Sequence, residues 1–249
     1  MKNIIAFIVL SIVVLSVPAE KSFSQTGYNV YENPGQYRVP ESSHRENVLI
    51  ILDCSLSMED DIDGERKIDV AKDVINRVLT EIPRNVHVGL RVYGHKSSMV
   101  KSFLGLDECE VSELLVPIGA NRHRISRALS ELKPVGMTPI CYSIDQSVKY
   151  DFTGLPGKKR IILVSDGMEN CNGSPCEFAV ELVKRNVDVA IDVIGFDLSS
   201  NPSAMKHLRC AALVTKGKFY TADNPEEFLR SMQQSFSVST EVQGKILSE

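Results

Sequence analysis

The run NVLIILD, residues 47–53, constrains the fold more than any other feature of the chain. Its apolar residues are consecutive rather than alternating, so a strand built from them must be covered on both faces. RIILVSDG, residues 160–167, reads as another buried strand, and VDVAIDVIGF, residues 187–196, as a further one. Between them the pattern changes period. Ile68, Ala71, Val74, Ile75, Val78, Leu79 and Ile82 form one helical stripe, which Pro83 closes. VHVGLRVYG (86–94) predicts a second strand, and ELLVPIG (113–119) a third whose Pro117 suits a sheet edge. A helix follows over 122–132 with Ile125, Ala128, Leu129 and Leu132 inward. Strands that alternate with helices predict an α/β, doubly wound sheet.

Local signals set several boundaries. Thr138 is placed as the N-cap of the next helix, with Pro139 at its first position. SPCEFAVELVKRN opens on Ser174, Pro175 and Glu177, a capping box with proline in the first turn. A helix is expected over 202–213, a last strand at GKFYTA, and a closing helix at DNPEEFLRSMQQSF capped by Asp223 or Asn224. No internal repeat is visible.

The N-terminus stands apart from this pattern. Lys2 precedes an uncharged, predominantly apolar run over residues 4–17, the layout of a secretory signal. Fourteen helical residues span roughly 21 Å, short of the ~30 Å hydrocarbon core of a bilayer. Cleavage is placed after Ala19 or, with SFS (22–24) as the motif, after Ser24, with an uncleaved anchor as the alternative. The expected division is a signal peptide at 1–24, a linker or extended arm at 25–45, one domain at 46–240 and a tail at 241–249. The chain is thus expected in the periplasm or outside the cell, with no stable membrane insertion after cleavage. In that setting its six cysteines suit disulfides, although six permit fifteen pairings. ENCNGSPC, with Cys171 and Cys176, leaves a zinc site as the other reading, but without a second pair or a nearby His.

The formal charge of −4, the absence of Trp and the lack of a basic stripe argue against nucleic acid. Neither a G-x-S-x-G elbow nor a P-loop nor a dinucleotide glycine fingerprint is present. EDDIDGER (59–66) lacks the spacing of a calcium loop and reads as a solvated acidic turn that could influence partner choice. His95 near the rim reads as a surface histidine, with ligand contact as its alternative.

What remains is a set of oxygen donors. In open α/β sheets ligands gather at the carboxyl ends of the strands, at the switch point. Asp53 ends the first strand, Asp166 ends the fourth, and Thr138 begins the helix that leads into the fourth. Ser55 and Ser57 follow Asp53 at alternate positions. Hydroxyls and carboxylates alone are the preference of Mg²⁺ or Mn²⁺. D-x-S-x-S after an apolar strand, TP opening a helix and LVSDG ending a later strand resemble the von Willebrand factor A (VWA) domain and its metal-ion-dependent adhesion site (MIDAS). The resemblance runs from about residue 46 to 240. TPI, LVSDGMENCNGSPC, VIGF and LRCAA are similar to an exported bacterial branch of that family.

The resemblance implies a Rossmann-like fold: a mostly parallel six-stranded sheet, one antiparallel edge strand and helices on both faces. It implies Ser55, Ser57 and Thr138 as direct ligands, and Asp53 and Asp166 as ligands through water or by switching to direct contact. An open coordination position would then accept an Asp or Glu of a protein partner. Neutral hydroxyls leave most of the dication's charge uncompensated, which is what draws a foreign carboxylate. The chain departs from the family pattern at Cys54 and Leu56, where a small residue and glycine are usual. Cys54 and Cys141 flank two ligand loops, so a disulfide between them is one expectation and a small buried hydrophobe at Cys141 the other. The function expected is adhesion or protein–protein interaction without enzymatic activity. A structural subunit of an envelope complex with no metal requirement, or a metal-dependent hydrolase, are the alternatives.

Overall fold

The computed structural model describes residues 45–96 and 108–244. The expected signal peptide, nearly all of the arm and the last five residues of the tail lie outside the described residues. In chain order the elements are β1 (Glu46–Asp53), β2 (Asp61–Ile62), β3 (Glu65–Arg66), α1 (Lys67–Glu81), β4 (Val86–Tyr93) and β5 (Ser112–Val116). There follow α2 (His123–Glu131), α3 (Ile140–Gln146), β6 (Lys158–Ser165), α4 (Pro175–Lys184), β7 (Ala190–Phe196), α5 (Pro202–Val214), β8 (Phe219–Ala222) and α6 (Pro225–Gly244).

Six strands form one sheet in the order β5-β4-β1-β6-β7-β8. All neighbours are parallel except β4 and β5, which pair antiparallel at the edge. Pro117 lies just beyond β5, where no ladder bond is lost. The first strand is the hub. Every residue of β1 is buried, and its parity divides the core in two. Val48, Ile50 and Leu52 face a cluster with Ile68, Ile75 and Leu79 of α1, Ile125 and Leu129 of α2, and Phe228 and Met232 of α6. Leu49 and Ile51 face the opposite cluster, with Ile140 and Ile144 of α3, Leu182 of α4 and Leu208 of α5. Consecutive apolar residues in β1 therefore reflect three helices on each side. The chain leaves β1 toward β4 on one flank and reaches β6 on the other, so the switch point lies between β1 and β6.

Several ends differ from expectation. The closing helix extends to Gly244, so the first residues of the expected tail are helical. Of the two candidate caps, Asn224 serves: its Oδ1 accepts from the Glu227 backbone N–H at 2.9 Å, while Glu227 accepts from the Asp223 N–H at 3.0 Å. Ser174 accepts from the Glu177 N–H at 3.5 Å, the predicted half of the capping box. The acidic turn is a two-stranded hairpin. Asp63 and Gly64 both have positive φ (53° and 86°) between the paired Ile62 and Glu65, the Asp-Gly signature of a two-residue hairpin turn.

Candidate metal centre

The site is built from three loops that share backbone hydrogen bonds. The Ser55 segment pairs with Gly136 in a parallel bridge, and the Leu56 N–H donates to the Gly136 carbonyl at 3.1 Å. The Gly136 N–H donates to the Gly94 carbonyl at 2.8 Å, and the Cys54 N–H to the Tyr93 carbonyl at 2.9 Å. The loops after β1, after β4 and before α3 are thus stitched together at the carboxyl end of the sheet. The loop after β6 joins through one backbone bond, from the Asn170 N–H to the Thr138 carbonyl at 3.4 Å, and through side chains. Asn170 Oδ1 accepts from the Thr138 N–H at 2.7 Å, and the Glu169 carboxylate accepts from the N–H groups of Cys141 (2.7 Å) and Cys171 (2.9 Å).

Of the five predicted oxygen donors, four are linked directly. Asp53 Oδ1 accepts from the Ser55 N–H at 2.7 Å. The Ser55 and Ser57 hydroxyl oxygens stand 3.2 Å apart, and Ser57 donates to Asp166 Oδ1 at 2.8 Å. Thr138 reaches the same rim through its own loop, two residues after the Gly136 bridge, and is buried. Its predicted capping role is not observed. Pro139 occupies the cap position, no side chain caps α3, and the helix starts at Ile140. Proline has no side-chain oxygen to accept a first-turn N–H, and Thr138 sits one residue too early to do so.

Both oxygens of Asp53 are engaged: Oδ2 accepts from the Tyr93 hydroxyl at 2.9 Å and from Ser165 Oγ at 2.7 Å. Burial, with the Asp166 charge added, raises the Asp53 carboxyl to about 6, against the lowering effect of the bonds from Ser55 and Ser165. Asp166 is also shifted upward by burial, opposed by Ser57 and by an ammonium group. That ammonium belongs to Lys67, at the start of α1. Its Nζ lies 3.1 Å from Asp166 and 2.8 Å from Asp197, which follows β7. Burial pulls the Lys67 pKa down, and its two carboxylate partners outweigh that, leaving it raised.

Sequence reasoning did not single out Lys67, Glu169, Asn170 or Tyr93, and assigned Ser165 no role. Glu169 and Asn170 stand inside the quoted LVSDGMENCNGSPC, but only the fold says which N–H groups they meet. His95 is not a surface histidine. Its side chain is largely buried, with Nε2 3.1 Å from Glu113 of the edge strand, and burial lowers its pKa.

Four of the six cysteines form disulfides, in pairings that the sequence had left open. Cys109 pairs with Cys171 and Cys176 with Cys210, which takes both cysteines of ENCNGSPC out of the zinc alternative. Cys54 and Cys141 are free thiols. Cys54 is packed in the α1 side of the core, whereas Cys141 lies against Gly173 and Glu169 on the other, so of the two readings the disulfide between them is the one that fails.

A dication with oxygen ligands at about 2.1 Å places neighbouring ligands of an octahedron about 3.0 Å apart. The oxygens around Ser57 stand 3.2 Å and 2.8 Å apart, hydrogen-bond distances that such an octahedron also accommodates, so the fit to such an ion rests on the chemistry of the donor set, hydroxyls and carboxylates without sulfur or imidazole.

A doubly wound α/β domain with a hydroxyl-rich rim at its switch point is the class that fold and site define. The von Willebrand factor type A domain model matches residues 48–169. The chain is 30% identical over 197 residues to the uncharacterized protein YwmD of Bacillus subtilis (strain 168), spanning 78% of this chain and 87% of that one. The chain belongs to the VWA domain family. Among solved structures, the pilus adhesin SpaC of Lactobacillus rhamnosus GG superposes with a TM-score of 0.59 at 12% identity, over 79% of this chain and 30% of SpaC. Proximal thread matrix protein 1 of the mussel byssus, with a zinc-occupied MIDAS motif, gives 0.58 at 15% identity, over 81% of this chain and 47% of that one. These two likenesses show the fold.

Proposed function

We propose that Ser55, Ser57 and Thr138, supported by Asp53 and Asp166, hold a divalent cation, Mg²⁺ or Mn²⁺, in a MIDAS. The bound ion would supply an uncompensated positive charge to which an Asp or Glu of a protein partner adds. The chain is accordingly read as a binding module rather than an enzyme. The observation that carries this is the convergence of Asp53, Ser55, Ser57 and Asp166 from two separate loops into one hydrogen-bonded set of oxygens at the carboxyl end of the sheet. The chain's own residues do the preparation. Tyr93, Ser165 and the Ser55 N–H hold Asp53 back from the rim, consistent with ligation through water. Lys67 offsets the charge of Asp166, so that less of the ion's charge would be cancelled from within. The zinc-occupied MIDAS of the mussel protein supports a dication site of this kind.

Export is part of the proposal. Two disulfides suit a periplasmic or extracellular setting, and among the described residues no helix is long and apolar enough to cross a membrane. Isothermal titration with Mg²⁺ and Mn²⁺ tests the site. One ion per chain is expected, with affinity reduced at least about tenfold in Ser57→Ala, and pull-down of envelope proteins that is lost in EDTA. Absence of any metal heat or thermal shift in the wild type would overturn the reading.

A further inference from the structure

The donors at positions 55 and 57 turn toward the site, so the side chain between them projects outward. That side chain is Leu56, 64% exposed. A polar residue would meet the same backbone geometry with no apolar surface in water. Met168, two residues after Asp166, is 46% exposed, and Val135, next to the Gly136 that bonds to Leu56, is 41% exposed. Single exposed apolar residues are ordinary, but clustered ones mark contact surfaces. Of the six large apolar side chains exposed among the described residues, these three border the one rim.

Beside them stands the β2–β3 hairpin, whose Asp60, Asp61, Asp63 and Glu65 are exposed. Its base bonds directly to the rim, through the Asp60 N–H to the Ser57 carbonyl at 3.1 Å. A ligand rich in acid would be repelled there, while a solitary carboxylate would be drawn to the ion.

Resting on the metal reading above, we propose that Leu56, Val135 and Met168 form an apolar collar. It would select a protein segment in which one Asp or Glu is flanked by large apolar residues and not by further acids. The ion takes the carboxylate, the collar covers the flanking side chains, and the hairpin excludes acidic neighbours. The partner is thereby defined by the context of its acid, not by the acid alone.

Four synthetic peptides in one neutral host test this by fluorescence polarisation in Mg²⁺ and in EDTA, with centres Leu-Asp-Leu, Gly-Asp-Gly, Leu-Asn-Leu and Glu-Asp-Glu. The wild type is expected to bind Leu-Asp-Leu about tenfold tighter than Gly-Asp-Gly in Mg²⁺, about 1.4 kcal/mol. Glu-Asp-Glu should be weakest of the Asp peptides, and Leu-Asn-Leu should show no Mg²⁺ dependence. In Leu56→Ser and Met168→Ser the preference for leucine flanks should shrink toward unity, with Mg²⁺ affinity by calorimetry unchanged. Equal binding of the Leu- and Gly-flanked acids, or a preference that survives both substitutions, would overturn the collar and leave the metal site standing. Loss of Mg²⁺ dependence for every peptide would instead overturn the reading beneath it.

Discussion

At the scale of single residues, Asp53 shows how a buried carboxylate is prepared and at what cost. Its pKa rises from 3.8 to about 6 because burial penalises the charge more than Ser55 and Ser165 relieve it. The folded state therefore holds this proton over a window in which the unfolded chain has released it. Stability from this group is greatest at low pH and declines as pH rises from about 4 to about 6. At about 1.36 kcal/mol per unit the decline is about 3 kcal/mol. Urea denaturation in EDTA should find Asp53→Asn gaining that much on the wild type between pH 4 and pH 7. A pH-independent difference between the two would refute it. Lys67 is the complementary case. One ammonium group serves Asp166 and Asp197, and Lys67→Met leaves both acids without it. Metal-free stability is expected to fall by about 3 kcal/mol, the cost of breaking a buried pair. Mg²⁺ should bind about tenfold tighter, since a like charge beside the ion is gone. Calorimetry and denaturation together check both signs.

Among elements, the three braided loops matter more than any one of them. Gly94 has φ of +72°, and a Cβ there would stand 2.6 Å from the Ser55 nitrogen and 2.7 Å from the Cys54 carbonyl carbon. Both are backbone atoms that cannot swing away. Gly64 in the hairpin turn has φ of +86° with nothing within 4 Å of such a Cβ. Gly64→Ala should therefore cost only the backbone strain, about 1 kcal/mol. Gly94→Ala should cost several times that and abolish Mg²⁺ binding, because it pushes the Ser55 loop from the site. Similar losses in the two variants, by thermal denaturation and calorimetry, would contradict this account. The hairpin also bears on what sequence reading can reach. Asp63-Gly64 carried a turn signal, but strands of two residues each were too short to show a period.

On the scale of the whole molecule, the disulfides tie the site to the helical layer. Cys109–Cys171 joins the turn before the edge strand to the loop after β6, across 62 residues, and Cys176–Cys210 joins α4 to α5, across 34. Closing loops of these lengths stabilises a chain by about 4 kcal/mol each in the chain-entropy model. Thiol titration in denaturant without reductant should find two groups, with alkylation mapping to Cys54 and Cys141. A count of six, or alkylation at Cys171, would show the pairing to be wrong. Reduction is expected to lower stability by about 2–4 kcal/mol for each bridge.

The doubly wound sheet was legible because its cause is local. A strand covered on both faces must be apolar at every position, as in β1, and a helix covered on one must repeat near 3.6, as in α1. That Asp53, Ser55, Ser57 and Asp166 meet at one rim was legible for a related reason, since strand ends are where such folds put their ligands. Which cysteines pair, that Pro139 and not Thr138 holds the cap position of α3, and that Lys67 faces Asp166 across 99 residues were not. These depend on loop paths and on which side of the sheet each segment approaches. Cys54 and Cys141 differ in just that, and no local pattern records it. Periodicity reports the environment each residue needs, whereas long-range partners are chosen only when the layers close.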